Sequence, residues 1–186
     1  FVRDGTALAI AEMLRGGTTT FSDMYFFPEA AAEVARRAGI RAQLCFPIFD
    51  FPSAWGSGPD EYFRKGLALR DDYKHSDLIN IAFGPHAPYT VGDEAMSKVV
   101  MFAEELDCAI QIHLHETQHE VDDALKQTGL RPIERLAKLG QDKSKLVFQP
   151  PPKKVFLHQP PAADATVEER PAAKIMLPPT SQPPAG

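Results

Sequence analysis

Two histidines and a glutamate lie together in residues 112–117, whose sequence is IHLHET. If residues 109–115 form an extended strand, alternation places His113 and His115 on one face, opposite to the apolar side chains between them. A neutral imidazole is a common ligand of transition metals, and a carboxylate such as Glu116 can transfer protons at a metal-bound water. The residues alone therefore indicate either a metal-dependent hydrolytic site or a pair of hydrogen-bonded core histidines.

A further histidine lies in residues 84–90, whose sequence is GPHAPYT. This segment directly follows residues 78–83, an apolar run that predicts a buried strand. One glycine and two prolines fix a tight loop around His86, which is typical of a functional loop at the end of a strand. We expect His86 to be functional, and hydrogen bonding of its ring to loop carbonyls is the alternative interpretation.

Other polar side chains are predicted to have structural or solvated roles. Asp23, at the end of a predicted strand, is expected to cap or anchor the following loop rather than to act in catalysis. His119 lies beside Glu120 one turn into a helix, and we predict a solvated helix face there. The chain has no CxxC pair, no GxSxG segment and no second HxH pair. A cysteine or serine nucleophile is therefore disfavoured.

Strand–helix units position these segments. A strand is predicted where a short apolar run ends in a loop, and a helix where apolar residues recur with a period of about 3.6 residues. The predicted strands are residues 18–24, 41–49, 78–83 and 109–115. The predicted helices are residues 6–15, 28–39, 60–73, 93–106, 117–127 and 132–139.

Consecutive strands joined by helices predict a parallel sheet, since parallel neighbours require a crossover connection. A barrel and a doubly wound sheet both fit this pattern. No glycine-rich phosphate-binding segment such as GxGxxG or GxxxxGK[ST] follows a predicted strand, which disfavours a nucleotide-binding doubly wound fold. We therefore predict the α/β class, with residues 1–145 forming part of a TIM-like (β/α)8 barrel of about four consecutive units. The loops at the carboxyl ends of its strands would carry His86, His113 and Glu116.

Residues 146–186 differ in composition from the rest of the chain. Ten of the 17 prolines fall in this segment, and no apolar period persists between them. Such a density of proline disfavours helices and central strands, so we predict a disordered or extended tail. Recognition of its polyproline stretches by a partner is an alternative.

The overall composition limits the kind of partner. A hydrophobic fraction of 44% and a charged fraction of 24% are ordinary for a globular protein, so we expect a folded core and no membrane span. The net charge of −5 provides no basic surface for nucleic acid, and a small-molecule substrate is easier to accommodate. Cys45 and Cys108 each lie in an apolar run, which indicates buried thiols without a disulfide and favours the cytoplasm.

Residues 4–140 resemble the amidohydrolase superfamily, and within it the group of 5-methylthioadenosine/S-adenosylhomocysteine deaminases, which also includes triazine hydrolases. The resemblance rests on four segments of this sequence: DGTALAIAEMLRGGTTTFSDMYFFPE, GIRAQLCFPIFDFP, FGPHAPYT and IHLHETQHEV. Together these segments are specific to the group, whereas GGTTTFSDMY alone is less so.

The resemblance implies roles for individual residues. By position, His113 corresponds to a metal ligand on the fifth barrel strand, and Glu116 to a carboxylate that shuttles protons and contacts the purine ring. His86 corresponds to a residue that faces the substrate, and His115 stays a candidate for the pocket without a metal role. The implied reaction is a hydrolytic deamination in which a divalent ion, usually zinc, activates water.

The sequence also departs from the family pattern. An intact member has an HxH pair on its first strand, a histidine on its sixth and an aspartate on its eighth, and none of these is identifiable here. We therefore expect the chain to be a fragment that is inactive alone and self-associates through open sheet edges. A triazine or other heterocycle hydrolase and a non-catalytic remnant or interaction protein are the alternatives.

Overall fold

A computed structural model describes residues 1–140 and, as backbone, residues 146–149. Strands and helices alternate along this part of the chain. The strands are β1 (Thr20–Met24), β2 (Arg41–Ile48), β3 (Ile79–Pro85), β4 (Ile110–His113) and β5 (Leu146–Gln149). The helices are α1 (Val2–Arg15), α2 (Pro28–Ala38), α3 (Pro59–Tyr73), α4 (Asp93–Glu105), α5 (Gln118–Thr128) and α6 (Pro132–Lys138).

The five strands form one parallel sheet in which spatial order follows chain order, β1-β2-β3-β4-β5. A doubly wound sheet would reverse its strand order at a switch point, and no reversal occurs among the described strands. Right-handed crossovers between successive neighbours put the connecting helices on one face, as in a barrel wall. The predicted α/β class and the consecutive parallel units are therefore confirmed.

The helix layer packs against alternate residues of the strands. The core is built from apolar side chains that face the helices, including Leu44, Phe46, Ile48, Ile81, Phe83 and Ile110 from the sheet. Gly66 of α3 lies directly against this layer, because a Cβ at that position would overlap the ring of Phe46. Glycine at this point lets α3 approach β2 closely.

Local sequence signals explain where the helices begin and end. Pro28 occupies the first turn of α2, where its fixed φ suits a helix and its missing N–H is not needed. Gly39 and Gly129 follow α2 and α5 with φ of 73° and 69°, a left-handed conformation that glycine adopts without strain. Both helices therefore end where the sequence predicts, within one residue.

The main differences from the prediction concern three strands. β3 continues through Gly84 and Pro85, the first two residues of the predicted loop. β4 ends at His113 rather than at 115, because His115 has a φ of 55° and leaves the extended conformation. β5 was not predicted; it occupies the first four residues of the proline-rich segment and pairs with β4. Residues 150–186 lie outside the described residues, so the disordered tail stays a prediction.

Other predictions concern the cysteines and the membrane. Cys45 and Cys108 are buried free thiols, as predicted. Within the described part of the chain, none of the helices has the length and apolar character needed to cross a bilayer.

Candidate active site

His86 and His113 meet at the carboxyl ends of β3 and β4. The centroids of their rings lie 5.1 Å apart and the ring planes are nearly perpendicular. The backbone N–H of His113 donates to the carbonyl of His86 over 3.0 Å, so the parallel pairing of the two strands continues to this point. The structure therefore brings together two of the residues that the sequence identified separately.

The imidazole of His86 is held by contacts on several sides. Its Nδ1 lies 3.0 Å from Oγ1 of Thr90, and its ring centroid lies 5.0 Å from that of Phe49. Partial burial lowers the pKa of His86 below its usual value, and the nearby His113 lowers this pKa further. His86 is thus a neutral imidazole at pH 7, able to accept or donate a hydrogen bond according to its tautomer.

Glu116 is hydrogen-bonded to the loop that carries His86. The hydroxyl of Tyr89 donates to Oε2 of Glu116 over 2.9 Å. Partial burial and then this hydrogen bond raise the pKa of Tyr89 to about 12, because both disfavour the phenolate. Glu116 is itself exposed, so the third predicted site residue is accessible to a small molecule.

Glu120, which the sequence analysis placed on a solvated helix face, is buried with 6% of its surface exposed. Its Oε1 accepts from the N–H of His115 over 3.1 Å, and its Oε2 from the N–H of Glu116 over 2.7 Å. The signal was present in the sequence, since Thr117 and Glu120 have the spacing of a capping box at the start of α5. His119 is exposed, as predicted, and contacts Asp123 over 3.0 Å.

His115 does not share the face of His113 in the way that strand alternation predicted. The strand has ended before it, and its backbone adopts a left-handed conformation that is uncommon outside glycine. Its Nε2 is buried and has no hydrogen-bond partner among the described residues. His115 therefore belongs to the turn between β4 and α5 rather than to the strand.

Below the two histidines, polar groups link three strands. The Ser22 hydroxyl and the Cys45 thiol both donate to Oε1 of Gln111, over 2.5 Å and 3.4 Å. Burial raises the pKa of Cys45 to about 12, so the group is a neutral thiol and a poor nucleophile at pH 7. Burial also raises the pKa of Asp23, which lies near the end of β1.

A cavity lies beside this site rather than over it. It has a volume of about 800 Å³ and lies between the β3–α4 loop and helices α5 and α6. Tyr89 and Glu120 line it, whereas His86, His113 and Glu116 do not. A cavity of about 350 Å³ lies at the amino ends of the strands, far from the histidines.

Residues 1–178 match the Amidohydrolase family. The chain belongs to this family. It is 61% identical over 140 residues to a 5-methylthioadenosine/S-adenosylhomocysteine deaminase from Saccharophagus degradans, a match covering 75% of this chain and 31% of the relative. It is 40% identical over 136 residues to a 5'-deoxyadenosine deaminase from Methanoregula boonei, covering 73% and 31%. This amidohydrolase chain thus spans about a third of the length of these relatives.

Solved structures extend the comparison. An adenosine deaminase from Xanthomonas campestris with bound zinc superposes with a TM-score of 0.77 at 48% identity, covering 79% of this chain and 34% of that one. An atrazine chlorohydrolase from Arthrobacter aurescens superposes with a TM-score of 0.71 at 21% identity, covering 79% and 37%. The likeness to the chlorohydrolase supports the fold alone. The family match and the similar deaminases confirm the predicted resemblance to the superfamily.

The described residues of this amidohydrolase chain do not by themselves fit a zinc ion. They contain no group of three or more histidine, cysteine, aspartate or glutamate side chains placed to hold a metal. His113 supplies one imidazole of suitable chemistry, whereas zinc takes at least three protein ligands. A metal at this position would need further ligands from outside the described residues.

Proposed function

We propose that this chain forms part of a metal-dependent hydrolase that deaminates 5-methylthioadenosine, S-adenosylhomocysteine or a related purine nucleoside and releases ammonia. The observation that carries the proposal is the convergence of His86, His113 and Glu116 at the carboxyl ends of adjacent strands. The names of the relatives, which describe nucleoside deaminases, support the same reaction class.

In this proposal each residue has a role that its surroundings support. Glu116 takes a proton from the attacking water and passes it to a ring nitrogen of the purine, and the Tyr89 hydroxyl keeps its carboxylate in place. His86, a neutral imidazole at pH 7, forms a hydrogen bond with the substrate. His113 is proposed as one ligand of a divalent metal, zinc, whose remaining ligands lie outside the described residues.

The proposal extends to the surroundings of the protein. We infer a small-molecule substrate rather than nucleic acid, and a cytoplasmic location, from the acidic net charge of −5 and the two buried thiols. We also infer self-association through exposed sheet edges, since β1 and β5 each pair with a single neighbour among the described strands. Sedimentation velocity across a concentration series checks the last point.

A chimeric enzyme tests the activity. The matched 140-residue segment of the Saccharophagus degradans relative is replaced by the corresponding residues of this chain, so that the rest of that protein surrounds the site. We expect the chimera to release ammonia from 5-methylthioadenosine. Glu116→Gln in the chimera should lower kcat by about 100- to 10,000-fold, the usual contribution of a positioned acid–base group.

Glu12→Gln, which makes the same change on the exposed face of α1, serves as the matched control and should leave kcat unchanged. Equal rates for Glu116→Gln and the unmodified chimera would contradict the catalytic role. Faster release from an aminotriazine than from 5-methylthioadenosine would favour a heterocycle hydrolase. A folded chimera without activity on either substrate would support a non-catalytic remnant.

A further inference from the structure

We propose that Glu120 is a positioning residue, whose buried carboxylate sets the backbone turn between His113 and Glu116 and thereby fixes how these two side chains meet. No catalytic contact is assigned to Glu120 itself. Its importance for deamination rests on the proposed function, whereas its control of the turn does not.

The burial of this carboxylate is the first argument. Only 6% of Glu120 is exposed, and a buried charge is costly unless hydrogen bonds compensate it. Both of its oxygens are used, one by the N–H of His115 and the other by the N–H of Glu116. Such bonds to an ionised group are stronger than bonds between neutral groups.

The pattern of these bonds differs from ordinary helix capping. In a capping box the glutamate side chain returns to the N–H of the capping residue, here Thr117. In this chain Thr117 accepts the backbone N–H of Glu120 through its Oγ1 over 3.1 Å, but the Glu120 carboxylate passes Thr117 and reaches the two residues before it. The carboxylate of Glu120 therefore holds the segment that precedes α5, while its backbone N–H takes part in the cap at the start of α5.

This segment adopts a backbone conformation that needs support. His115 has a φ of 55°, which is unfavourable for a residue with a Cβ and persists where surrounding contacts impose it. The turn brings Glu116 back toward the loop after β3, where Tyr89 donates to it, while His113 stays beside His86. An extended chain through His115 would instead carry Glu116 onward in the direction of β4.

Backbone amide exchange in the full-length chain tests the proposal. In Glu120→Ala we expect the N–H groups of His115 and Glu116 to exchange about tenfold faster or more, because each loses a charge-assisted bond. Glu120→Gln keeps the side-chain length but has one acceptor oxygen, so at least one of the two amides should lose protection. Thr117→Val is the matched control, since it removes a cap of the same helix and leaves the carboxylate intact.

A second readout separates positioning from helix stabilisation. The ¹³Cζ chemical shift of Tyr89 reports its hydrogen bond to Glu116, and it should move toward that of a solvated tyrosine in Glu120→Ala. The same shift should stay unchanged in Thr117→Val and in Glu12→Gln. Glu120→Gln gives the same comparison if Glu120→Ala does not fold.

Unchanged exchange at both amides in Glu120→Gln and Glu120→Ala would overturn the proposal. Amide exchange that accelerates equally in all the helices would also overturn it, because the effect would then not be local to the turn. So would an unchanged Tyr89 chemical shift in a variant in which the amides of His115 and Glu116 have lost protection. None of these measurements requires deaminase activity. An inactive chimera would therefore contradict the proposed function and leave the positioning role to be decided by exchange.

Discussion

The two ends of the sheet hold their polar side chains in different ways. At the amino end, Arg41 donates to Thr19 and Thr20 over 3.0 Å and 2.9 Å. Arg70 donates to the carbonyl of Leu106 and to Sγ of Cys108, each over 3.0 Å. Arg41 thereby links β2 to the start of β1, and Arg70 links α3 to the connection between α4 and β4.

At the carboxyl end, polar side chains from the segments at the ends of β3 and β4 lie against one another. Here two imidazole rings lie in contact, an exposed carboxylate is held by Tyr89, and His115 has a left-handed backbone. Asp107, at the amino end, also has a left-handed backbone, so the arrangement of the side chains is what distinguishes the two ends. The difference supports the proposal that side chains at the carboxyl end serve a reaction, whereas those at the amino end stabilise the fold.

His113→Ala in the chimera should give the largest effect of the remaining variants. We expect a loss of at least about a hundredfold in zinc affinity. Removing a residue that only hydrogen-bonds to a metal ligand already costs about 10- to 100-fold, and removing a ligand itself should cost more. Metal analysis of the purified protein checks the zinc content, and thermal unfolding of the metal-free form checks the fold. His119→Ala, at an exposed histidine of α5, should retain the metal. Equal zinc in both variants would show that His113 is not a ligand.

Arg70→Met tests the opposite end of the sheet. The side chain of Arg70 is 24% exposed, and its removal leaves the carbonyl of Leu106 without this donor. We expect the free energy of unfolding to fall by about 1–3 kcal/mol, measured by urea denaturation of the chain, with kcat of the chimera unchanged.

Arg64→Met is the matched control for Arg70. Its side chain is 70% exposed and pairs with Glu61 over 3.5 Å, an interaction worth about 0–1 kcal/mol. A fall in kcat without a loss of stability in Arg70→Met would contradict the stabilising role proposed for the amino end.

Tyr89→Phe, at the carboxyl end, should give the smallest effect. The pKa of Tyr89 is raised from 10.0 to about 12, so the folded state holds this proton more tightly than the unfolded state. The associated stability is present below pH 10 and is lost as the pH rises toward 12. The stability of the unmodified chain should therefore fall more steeply over this range than that of Tyr89→Phe. The difference will be small, because Tyr89 is 58% exposed and solvent screens its interactions.

Urea denaturation at a series of alkaline pH values measures this slope. Tyr25→Phe is a suitable control, since Tyr25 is also exposed, at 52%. Parallel curves for the unmodified chain and Tyr89→Phe would exclude a tight bond between Tyr89 and Glu116.

Local patterns in the sequence predicted most of the elements that position the site. Four of the five strands, and the helices around them, follow from apolar periodicity, glycine stops and proline starts, because these signals act over a few residues. Strand β5 was missed because the prolines that begin at Pro150 obscured an apolar run of only three residues, 146–148. The strand-end positions of His86 and His113 were predicted for the same local reason.

Other features were decided only by the tertiary structure. Tyr89 and Glu116 lie on different segments, and only folding brings them within hydrogen-bond distance. The spatial order of the strands, which excludes a doubly wound sheet, is likewise seen only in the folded sheet. The sequence spacing of Thr117 and Glu120 predicts a helix cap, but the burial of Glu120 depends on the elements packed around it. The sequence by itself thus predicted His86 and His113 at the ends of two strands and Glu116 just beyond. It put His115 on the strand and Glu120 on a solvated face, and the structure corrected both. The mutual geometry of these residues depends on long-range packing, which alternation and periodicity do not describe.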